Sequence, residues 1–210
     1  MTKLIDLSHI IEAGMPVFPG SVSPKISQIA TVGRDGYLEH LVSFYTHTGT
    51  HIDTPAHIFS NGNSIEAYTC DKFYGSAAVV DCQHAEFIEK DMVQKVYDES
   101  GKPDFLLFYS SWSDNWGSEA YFIDFPVLTH DAAGFLSDLP LKGVGIDAIS
   151  LDPLNDEDLP NHKALLGKEI ILIENLRGLK QLLNKAFYFS CQPLKIKGAE
   201  GCPVRAIAIL

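Results

Sequence analysis

Residues 47–57 read HTGTHIDTPAH, and they hold three of the chain's eight histidines together with one aspartate. His47 and His51 are four residues apart, which is the spacing of two ligands on one face of a helix. The residues around them are threonine, glycine and isoleucine, which are weak helix formers, and Pro55 cannot continue a helix. The stretch is therefore predicted to be an extended strand that ends at Pro55.

The alternation of side chains along such a strand predicts a common face for four residues, namely His47, Gly49, His51 and Asp53. Gly49 has no side chain, so a gap between the two imidazoles is expected, and a cation fits that gap. The residues between these four are predicted to point the other way and to pack. His57 follows the turn at Pro55 and is expected to fold back over the site.

Two imidazoles and one carboxylate form an open set of three metal ligands, which leaves a position for water. A divalent ion in such a set lowers the pKa of water towards 7 and polarises a carbonyl group. The ordinary pKa of histidine lies near neutrality, so His57 suits proton transfer. The alternative is a polar strand end whose histidines form local hydrogen bonds. Four polar groups spaced around a glycine favour the metal site.

The chain has 210 residues, which fits a single domain spanning 1–210. Its formal net charge of -11 argues against a nucleic-acid partner, because duplex-binding surfaces usually carry a basic excess. The N-terminus has no secretory signal, and apolar runs such as FLLFY are too short to span a bilayer, so no membrane partner is expected. The four cysteines form no CxxC pair and are interpreted as buried free thiols in a reducing cytoplasm rather than as a zinc site.

Short apolar segments alternate with single amphipathic segments along the chain. Strands are predicted at KLIDL (3–7), SAAVVDC (76–82) and FLLFYS (105–110), with long extended structure over 37–53. Apolar residues recur at helical spacing between Phe87 and Tyr97, and another helix is predicted after Thr129, a suitable N-cap. Strands mixed with single helices predict an α/β or mixed α+β domain.

The stretch HTGTHIDTPAH resembles the HxGTHxDxPxH signature of the cyclase-like metal-dependent hydrolases, of the bacterial kynurenine formamidase and isatin hydrolase type. Further segments resemble that family in the same order, namely LIDLSHIIEAGMPVFPG (4–20), GVGIDAISLD (143–152), PNHKALLGKEIILIENLRGL (160–179) and PLKIKGAEGCPVRAIA (193–208). The resemblance covers nearly the whole chain. It implies an α/β fold of the swivelling β/β/α type, in which one domain has a mixed sheet flanked by helices.

The resemblance also implies a set of ligands. One metal would be held by His47, His51 and Asp53, and a second by Asp53, His162 and Glu174, while His57 matches the catalytic acid/base. Judged by the residues alone, His162 is otherwise a helix-start residue and Glu174 a solvated strand end. Zinc is the expected divalent ion, at one or two per subunit, and manganese is the alternative. Gln192 is a candidate ligand in the manganese case and otherwise a structural hydrogen-bonding residue.

The activity implied by the resemblance is hydrolysis, by metal-activated water, of a C–N bond other than a peptide bond. The expected substrate is a small amide or formamide, as in the conversion of N-formylkynurenine to kynurenine and formate in tryptophan catabolism. Phe18, Trp112 and Trp116 are candidate substrate-binding aromatics, and the two tryptophans are equally open to a core role. The alternatives are a hydrolase or lyase of a cyclic amide or lactone, like isatin hydrolase, and a non-enzymatic metal-binding protein. A cytoplasmic homo-oligomer, either dimer or tetramer, is expected.

Overall fold

The computed structural model describes residues 2–210, and its central feature is a nine-stranded mixed sheet. The strands, in chain order, are β1 (Leu4–Asp6), β2 (Lys25–Ala30), β3 (Glu39–Ser43), β4 (His51–Asp53), β5 (Tyr74–Asp81), β6 (Phe87–Ile88), β7 (Phe105–Tyr109), β8 (Val127–Leu128), β9 (Gly143–Ile146), β10 (Ile171–Glu174), β11 (Phe187–Ser190), β12 (Gly201–Pro203) and β13 (Ile207–Ile209). The helices are α1 (Val32–Asp35), α2 (Lys90–Glu99), α3 (His130–Ser137) and α4 (Pro160–Leu166). The sheet runs in the order β1-β13-β11-β5-β7-β9-β10-β4-β12, while β2 pairs with β3 and β6 pairs with β8 outside it.

The four central strands β5, β7, β9 and β10 run parallel to one another. Every residue of β7 is buried, as is usual where both faces of a parallel sheet are covered. Leu106 and Phe108 contact the core that α2, α3 and α4 cover, and Phe105 and Leu107 belong to the core on the opposite face. The predicted mixed sheet flanked by helices is confirmed. Within residues 2–210, no helix is long and apolar enough to cross a membrane.

The helix predicted after Thr129 is confirmed, since the Thr129 hydroxyl accepts a hydrogen bond from the Ala132 amide at the start of α3. The helix predicted from Phe87 instead begins at Lys90. Phe87 and Ile88 form β6, and the Ile88 carbonyl accepts a hydrogen bond from the Thr129 amide. The apolar spacing correctly predicted the body of α2, but pairing with β8 holds Phe87 and Ile88 in an extended conformation.

The single extended segment predicted over 37–53 is wrong, because the chain turns between β3 and β4. β3 ends at Ser43, and β4 contains only His51–Asp53. Gly49 has a φ of 62°, a left-handed conformation that no strand accommodates and that favours glycine. A Cβ atom on Gly49 would also lie 3.0 Å from the Met15 side chain. His47 therefore reaches the site from a turn and not from the face of a strand.

The β2–β3 pair forms a hairpin that the sequence patterns did not predict. Ala30 is its one buried strand residue, and the remaining residues of both strands are exposed. The hairpin connects residues 16–21 to residues 47–53, and both of these segments line the main pocket described below. An isolated two-stranded hairpin is marginally stable in water, so a ribbon this exposed is expected to have a partner surface.

Asp147, which directly follows β9, is a buried acid with one unpaired oxygen, Oδ2. Burial raises its pKa to about 6, although Ser110 donates hydrogen bonds to its Oδ1 from both its amide and its hydroxyl. The raised pKa means that the fold prefers the protonated acid. This stabilisation is complete below the unfolded pKa of 3.8 and is lost as the pH rises through about 6.

We therefore expect Asp147→Asn to gain stability relative to the wild type as the pH rises from 4 to 7. The gap between the two pKa values corresponds to roughly 3 kcal/mol in the free energy of unfolding. Urea unfolding of both proteins across this range measures the difference, in which other titrating groups cancel. A difference that stays constant with pH would show that Asp147 does not titrate in this window.

Candidate metal centre

The register of the sheet places two candidate site residues, His51 and Glu174, opposite each other. β4 lies between β10 and β12, and it pairs antiparallel with both. In this register His51 is the direct partner of Glu174, the last residue of β10. Asp53 lies one pleat along β4, opposite Leu172 and Gly201. Because residues two apart share one face of a strand, His51 and Asp53 both face the group to which Glu174 belongs.

His162 reaches the same group from α4, which begins at Pro160. The buried Asp152 carboxylate accepts hydrogen bonds from the backbone amides of Asn161 and His162. It also accepts one from Nδ1 of the His162 ring, at 2.6 Å. Nε2 of that ring then lies 3.4 Å from a Glu174 oxygen and 3.7 Å from an Asp53 oxygen.

These side chains form two groups of three that share Asp53. One group is His47, His51 and Asp53, and the other is Asp53, His162 and Glu174; within each, the candidate ligand atoms lie within 4.8 Å of one another. His47 Nδ1 lies 2.6 Å from Asp53 Oδ1, and His51 Nε2 lies 3.3 Å from the same oxygen. Asp53 is 1% exposed, so it lies at the buried centre of both groups.

The polar atoms at this centre fit a divalent ion. His51 Nε2 and both Asp53 oxygens are buried, and no hydrogen bond of acceptable geometry satisfies them. Buried polar atoms are nearly always paired, so several unpaired atoms that face one another point to an absent partner. Imidazole nitrogens and carboxylate oxygens are the donor set that zinc and manganese accept. The residues present therefore fit the metal that their spacing predicted.

The pKa shifts within the group also show that positive charge stabilises it. Burial alone raises the pKa of Asp53, but His47 and His51 outweigh it and hold the pKa well below its usual range. Burial lowers the pKa of His47, whereas the Asp53 carboxylate raises it to about 9. Burial likewise lowers the pKa of His162, and the neighbouring carboxylates of Asp152, Asp53 and Glu174 raise it well above its usual value. Protonated imidazoles thus supply the charge that a divalent cation would supply when bound.

Two of the three imidazoles are oriented by a hydrogen bond on the nitrogen that points away from the group. His51 Nδ1 donates to the Gly49 carbonyl at 2.8 Å, and His162 Nδ1 donates to Asp152. A carbonyl can only accept, so Nδ1 of His51 carries a proton, and its Nε2 faces the carboxylates of Asp53 and Glu174. Metal-binding histidines usually have such partners, which fix the tautomer and the direction of the ring.

His57 folds back over the group, as its position after the turn predicted. Residues 55–57 form one 3-10 turn after β4, and Pro55 is its first residue. The His57 ring centroid lies 4.1 Å from that of His47 and 6.0 Å from that of His162. Burial, together with the neighbouring His47 and His162, lowers the pKa of His57 despite the opposing effect of Asp53. The ring is therefore neutral at pH 7 and able to accept a proton.

A pocket with a volume of about 260 Å³ opens onto this group. Apolar residues form much of its wall, namely Pro16, Val17, Phe18, Ile149 and Leu159. Ser21, Ser150 and Asn175 contribute polar groups. Phe18 lies in this wall with 41% of its surface exposed, and its contact with a substrate stays a prediction. The pocket thus combines an apolar wall with a polar floor.

The two tryptophans do not line this pocket. Trp112 packs against the core on the α2–α4 side, and its indole N–H donates to the Tyr121 carbonyl. Trp116 stacks on His9 at a centroid distance of 3.8 Å and contacts the Tyr121 ring edge-on. Two 3-10 turns fold the 110–122 segment against the core, where both indoles are half-buried. Since neither indole lines the pocket, the substrate contact of the two tryptophans stays a prediction without support from this geometry.

Gln192 also lies away from the candidate ligands. Its amide nitrogen donates to the Cys70 carbonyl at 2.9 Å, its side chain is exposed, and it is not part of the pocket wall. β11 carries the chain from the far half of the sheet, five strands away from β4 in the order of the sheet. This arrangement matches the alternative role of Gln192 as a structural hydrogen-bonding residue, and its role as a ligand stays a prediction.

Several residues of the site were not singled out from the sequence. Asp152 orients His162, Asn175 lies beside Glu174, and Leu159 lines the pocket three residues before His162. Asn175 comes one residue after the apolar run 170–173, and Asp152 follows the mostly apolar segment 148–151, a signal that could have identified them as buried polar groups. Leu159 has a φ of 46°, and no local pattern predicts a leucine in that conformation.

Comparison with known proteins identifies relatives along the whole chain. A family model described as "Putative cyclase" matches residues 5–153. The kynurenine formamidase of Salinibacter ruber is 32% identical, over 97% of this chain and 96% of its own. A solved structure described as a potential metal-dependent hydrolase with cyclase activity is 31% identical, with a TM-score of 0.84 over 100% of this chain and 98% of its own. An isatin hydrolase bound to the product analogue thioisatinate has a TM-score of 0.89 at 21% identity, over 100% and 92% of the two chains, which shows a common fold.

Proposed function

The chain belongs to the cyclase family, as its motifs indicated, and we propose that it is a metal-dependent hydrolase of C–N bonds other than peptide bonds. The observation that carries this proposal is the buried Asp53 carboxylate, which two groups of potential metal ligands share at the floor of a pocket. The whole-chain similarity to kynurenine formamidases supports a formamide as the bond that is cleaved.

In this proposal His47, His51 and Asp53 hold one divalent ion, and Asp53, His162 and Glu174 hold a second. Zinc is the preferred ion, because three imidazoles and two carboxylates match its ligands, and manganese is the alternative. A divalent ion bound here supplies Lewis-acid polarisation of the carbonyl and a lowered pKa for water. Asp53 holds both sites together, while Asp152 fixes the ring of His162.

The residues above the floor perform the remaining chemistry. His57 is neutral at pH 7, so it accepts a proton from water at one ring nitrogen and delivers it to the leaving nitrogen of the substrate. Phe18 and the adjoining apolar wall exclude water and contact the aromatic ring of the substrate. The balanced reaction converts N-formylkynurenine and water to kynurenine, formate and one proton.

A panel of substrates tests this function directly. The purified protein is stripped with a chelator, reloaded with Zn²⁺ or Mn²⁺, and assayed with N-formylkynurenine, isatin, and simple lactones and imides. We expect the formamide to be hydrolysed fastest and only by the reloaded protein. Faster opening of isatin would favour the alternative, a hydrolase of cyclic amides. A metal-loaded protein that turns over no member of the panel would contradict the formamidase and favour a metal-binding protein without catalysis.

Asp152→Asn is expected to weaken metal binding at the His162 group by about 10- to 100-fold, because removing the carboxylate partner of a ligating histidine usually has this effect. Asparagine keeps the shape of the side chain but removes the charged acceptor from His162 Nδ1. Competition with a chromophoric chelator measures the affinity. An affinity equal to that of the wild type at both sites would show that Asp152 does not act through His162.

We further propose that the protein is a homo-oligomer, most simply a dimer, that associates through the β2–β3 hairpin. The support is a set of apolar side chains on residues 26–45, each between 44% and 68% exposed, namely Ile26, Ile29, Val32, Tyr37, Leu38, Leu41, Val42 and Tyr45. At about 100 Å² exposed for each, they offer roughly 800 Å², which is what one partner contributes to a standard interface. We place this oligomer in the cytoplasm, because all four cysteines are free thiols.

Leu41→Lys tests the interface, because a lysine at the centre of an apolar contact is costly to bury. Light scattering after gel filtration should give a dimer or tetramer of the 23.1 kDa chain for the wild type and a smaller species for this variant. The matched control is Phe87→Lys, which changes a residue 45% exposed outside the hairpin and should leave the mass unchanged. A monomeric wild type would contradict the proposal.

A further inference from the structure

Asn175 is a buried residue that the chemistry proposed above leaves without a role. It directly follows Glu174, is 4% exposed, and has a φ of 57°, which asparagine tolerates better than most residues. Its backbone amide donates to the Ala148 carbonyl, and its own carbonyl accepts from the Thr50 hydroxyl at 2.6 Å. These bonds hold the residue between β4 and the loop after β9, so its side chain has a fixed direction.

The side chain of Asn175 links the core to the turn before β4. Its Nδ2 donates to the Gly49 carbonyl at 3.0 Å, and this is the carbonyl that accepts from His51 Nδ1. Its Oδ1 accepts from the hydroxyl of Tyr121 at 2.7 Å. Tyr121 is fully buried and is not part of the pocket wall. A continuous set of hydrogen bonds therefore runs from the core to a candidate metal ligand.

We propose that Tyr121 and Asn175 are positioning residues that set the metal affinity of the group formed by His47, His51 and Asp53. This inference rests on the proposed function, because it assumes that His51 binds metal. The Tyr121 hydroxyl donates to Oδ1, which fixes the orientation of the Asn175 amide with its NH₂ towards Gly49. The Gly49 carbonyl is thereby held where it accepts the Nδ1 proton of His51, and Nε2 is directed towards the carboxylates, where it is able to bind a metal ion.

We call the hydrogen bonds that run from Tyr121 through Asn175 and the Gly49 carbonyl to His51 the relay, and it acts on one of the two groups. Asp152 orients His162 in the second group through a separate contact, and its carboxylate accepts hydrogen bonds from Asn161 and His162, not from Asn175 or Tyr121. A loss in the relay should therefore lower the affinity of the first group and leave the second nearly unchanged. A merely structural role would affect both groups together with the stability of the fold.

Three substitutions remove the relay at different points. Tyr121→Phe keeps the buried ring and deletes the hydroxyl that orients the amide. Asn175→Asp keeps the shape but cannot donate to the Gly49 carbonyl. Asn175→Gly accepts the left-handed backbone and deletes the side chain entirely. The matched control is Tyr97→Phe, which changes another buried tyrosine, 4% exposed and without a recorded hydrogen bond from its hydroxyl.

Each substitution is made in two background variants, and each background keeps only one of the two metal-binding groups intact. His162→Ala leaves the first group, and His47→Ala leaves the second. Zn²⁺ affinity is measured by competition with a chromophoric chelator, the visible spectrum of the Co²⁺-loaded protein reports the geometry at the ion, and thermal melting of the metal-free protein reports stability.

In the His162→Ala background, we expect a loss in affinity of about tenfold for Tyr121→Phe and of about 10- to 100-fold for the two Asn175 variants, with a changed Co²⁺ spectrum. In the His47→Ala background, we expect changes below about threefold, and Tyr97→Phe should have no effect in either. Equal losses in both backgrounds, or losses no larger than those of Tyr97→Phe, would overturn the relay.

The outcome for the relay is separable from that for the proposed function. If the wild type hydrolyses N-formylkynurenine only with metal and the variants bind Zn²⁺ as tightly as their parents, the relay fails and the function stands. If the variants weaken the first group as expected but the metal-loaded wild type hydrolyses no formamide, the proposed function fails and the relay stands. A wild type that binds neither Zn²⁺ nor Mn²⁺ overturns both.

Discussion

Replacing Asp53 with asparagine is expected to lower kcat/KM by about 1000-fold or more and to remove metal from both groups. Asp53 is the residue that the two groups share, and its oxygens are buried without hydrogen bonds. Asparagine keeps the volume, but it replaces one charged oxygen with an NH₂ group that repels a cation. Loss of the ions removes several kcal/mol of transition-state stabilisation, and each 1.4 kcal/mol is about a factor of ten in rate.

Metal content by mass spectrometry and the rate with N-formylkynurenine are measured on the same preparation of the Asp53→Asn variant. Asp98→Asn, at an exposed position on α2, is the matched control and should behave as the wild type. Melting of the metal-free proteins separates loss of metal from loss of fold. An Asp53→Asn protein that retains both its metal and its rate would show that Asp53 does not join two metal sites.

Replacing His57 with glutamine is expected to lower kcat by about 100- to 10,000-fold while the metal content stays unchanged. General acid–base catalysis by a positioned side chain contributes a factor in this range. His57 is excluded from both groups of ligand atoms, yet it lies over His47 at the pocket. Glutamine retains a polar group of similar length but does not titrate near neutrality, so it is unable to carry the proton.

This combination of unchanged metal and lost rate distinguishes His57 from the ligands, whose substitution should affect both. His130→Gln, which changes an exposed histidine at the start of α3, is the control. If His57→Gln instead loses metal in proportion to its rate, the histidine is a ligand, and the assignment of proton transfer is wrong.

The local sequence predicted much of the centre because the ligands of the first group lie within seven residues. His47, His51 and Asp53 are close in sequence, and Pro55 ends the strand where proline must end it. The alternation of side chains along a strand nevertheless does not explain how all three residues come to face the same point. His47 belongs to a turn, and the left-handed conformation of Gly49, which period-two reasoning does not consider, brings it over the strand.

The second group depends on contacts distant in sequence. The register that places Glu174 opposite His51 joins residues 123 positions apart, and no local pattern encodes it. The family resemblance supplied His162 and Glu174, and the structure then brought both beside Asp53. The supporting residues Asp152 and Asn175 emerged only from hydrogen bonds between these distant segments.

The tryptophans and the hairpin show that local composition does not predict which side chains are buried. Trp112 and Trp116 lie among polar residues, which suggested an exposed loop, but short 3-10 turns fold that loop onto the core. The apolar residues of β2 and β3 are exposed on a hairpin that no sequence pattern predicted. In both cases the burial of a side chain was decided by which surface the segment packs against, and sequence periodicity does not contain that information.

A metal titration of the stripped protein, with bound metal and the rate of N-formylkynurenine hydrolysis measured together, tests whether the ions held at Asp53 carry the activity. We expect no turnover without metal, and a rate that rises in proportion to occupancy and saturates at one or two ions per chain. Hydrolysis at full rate by the metal-free protein, or full occupancy with no hydrolysis, would contradict this expectation.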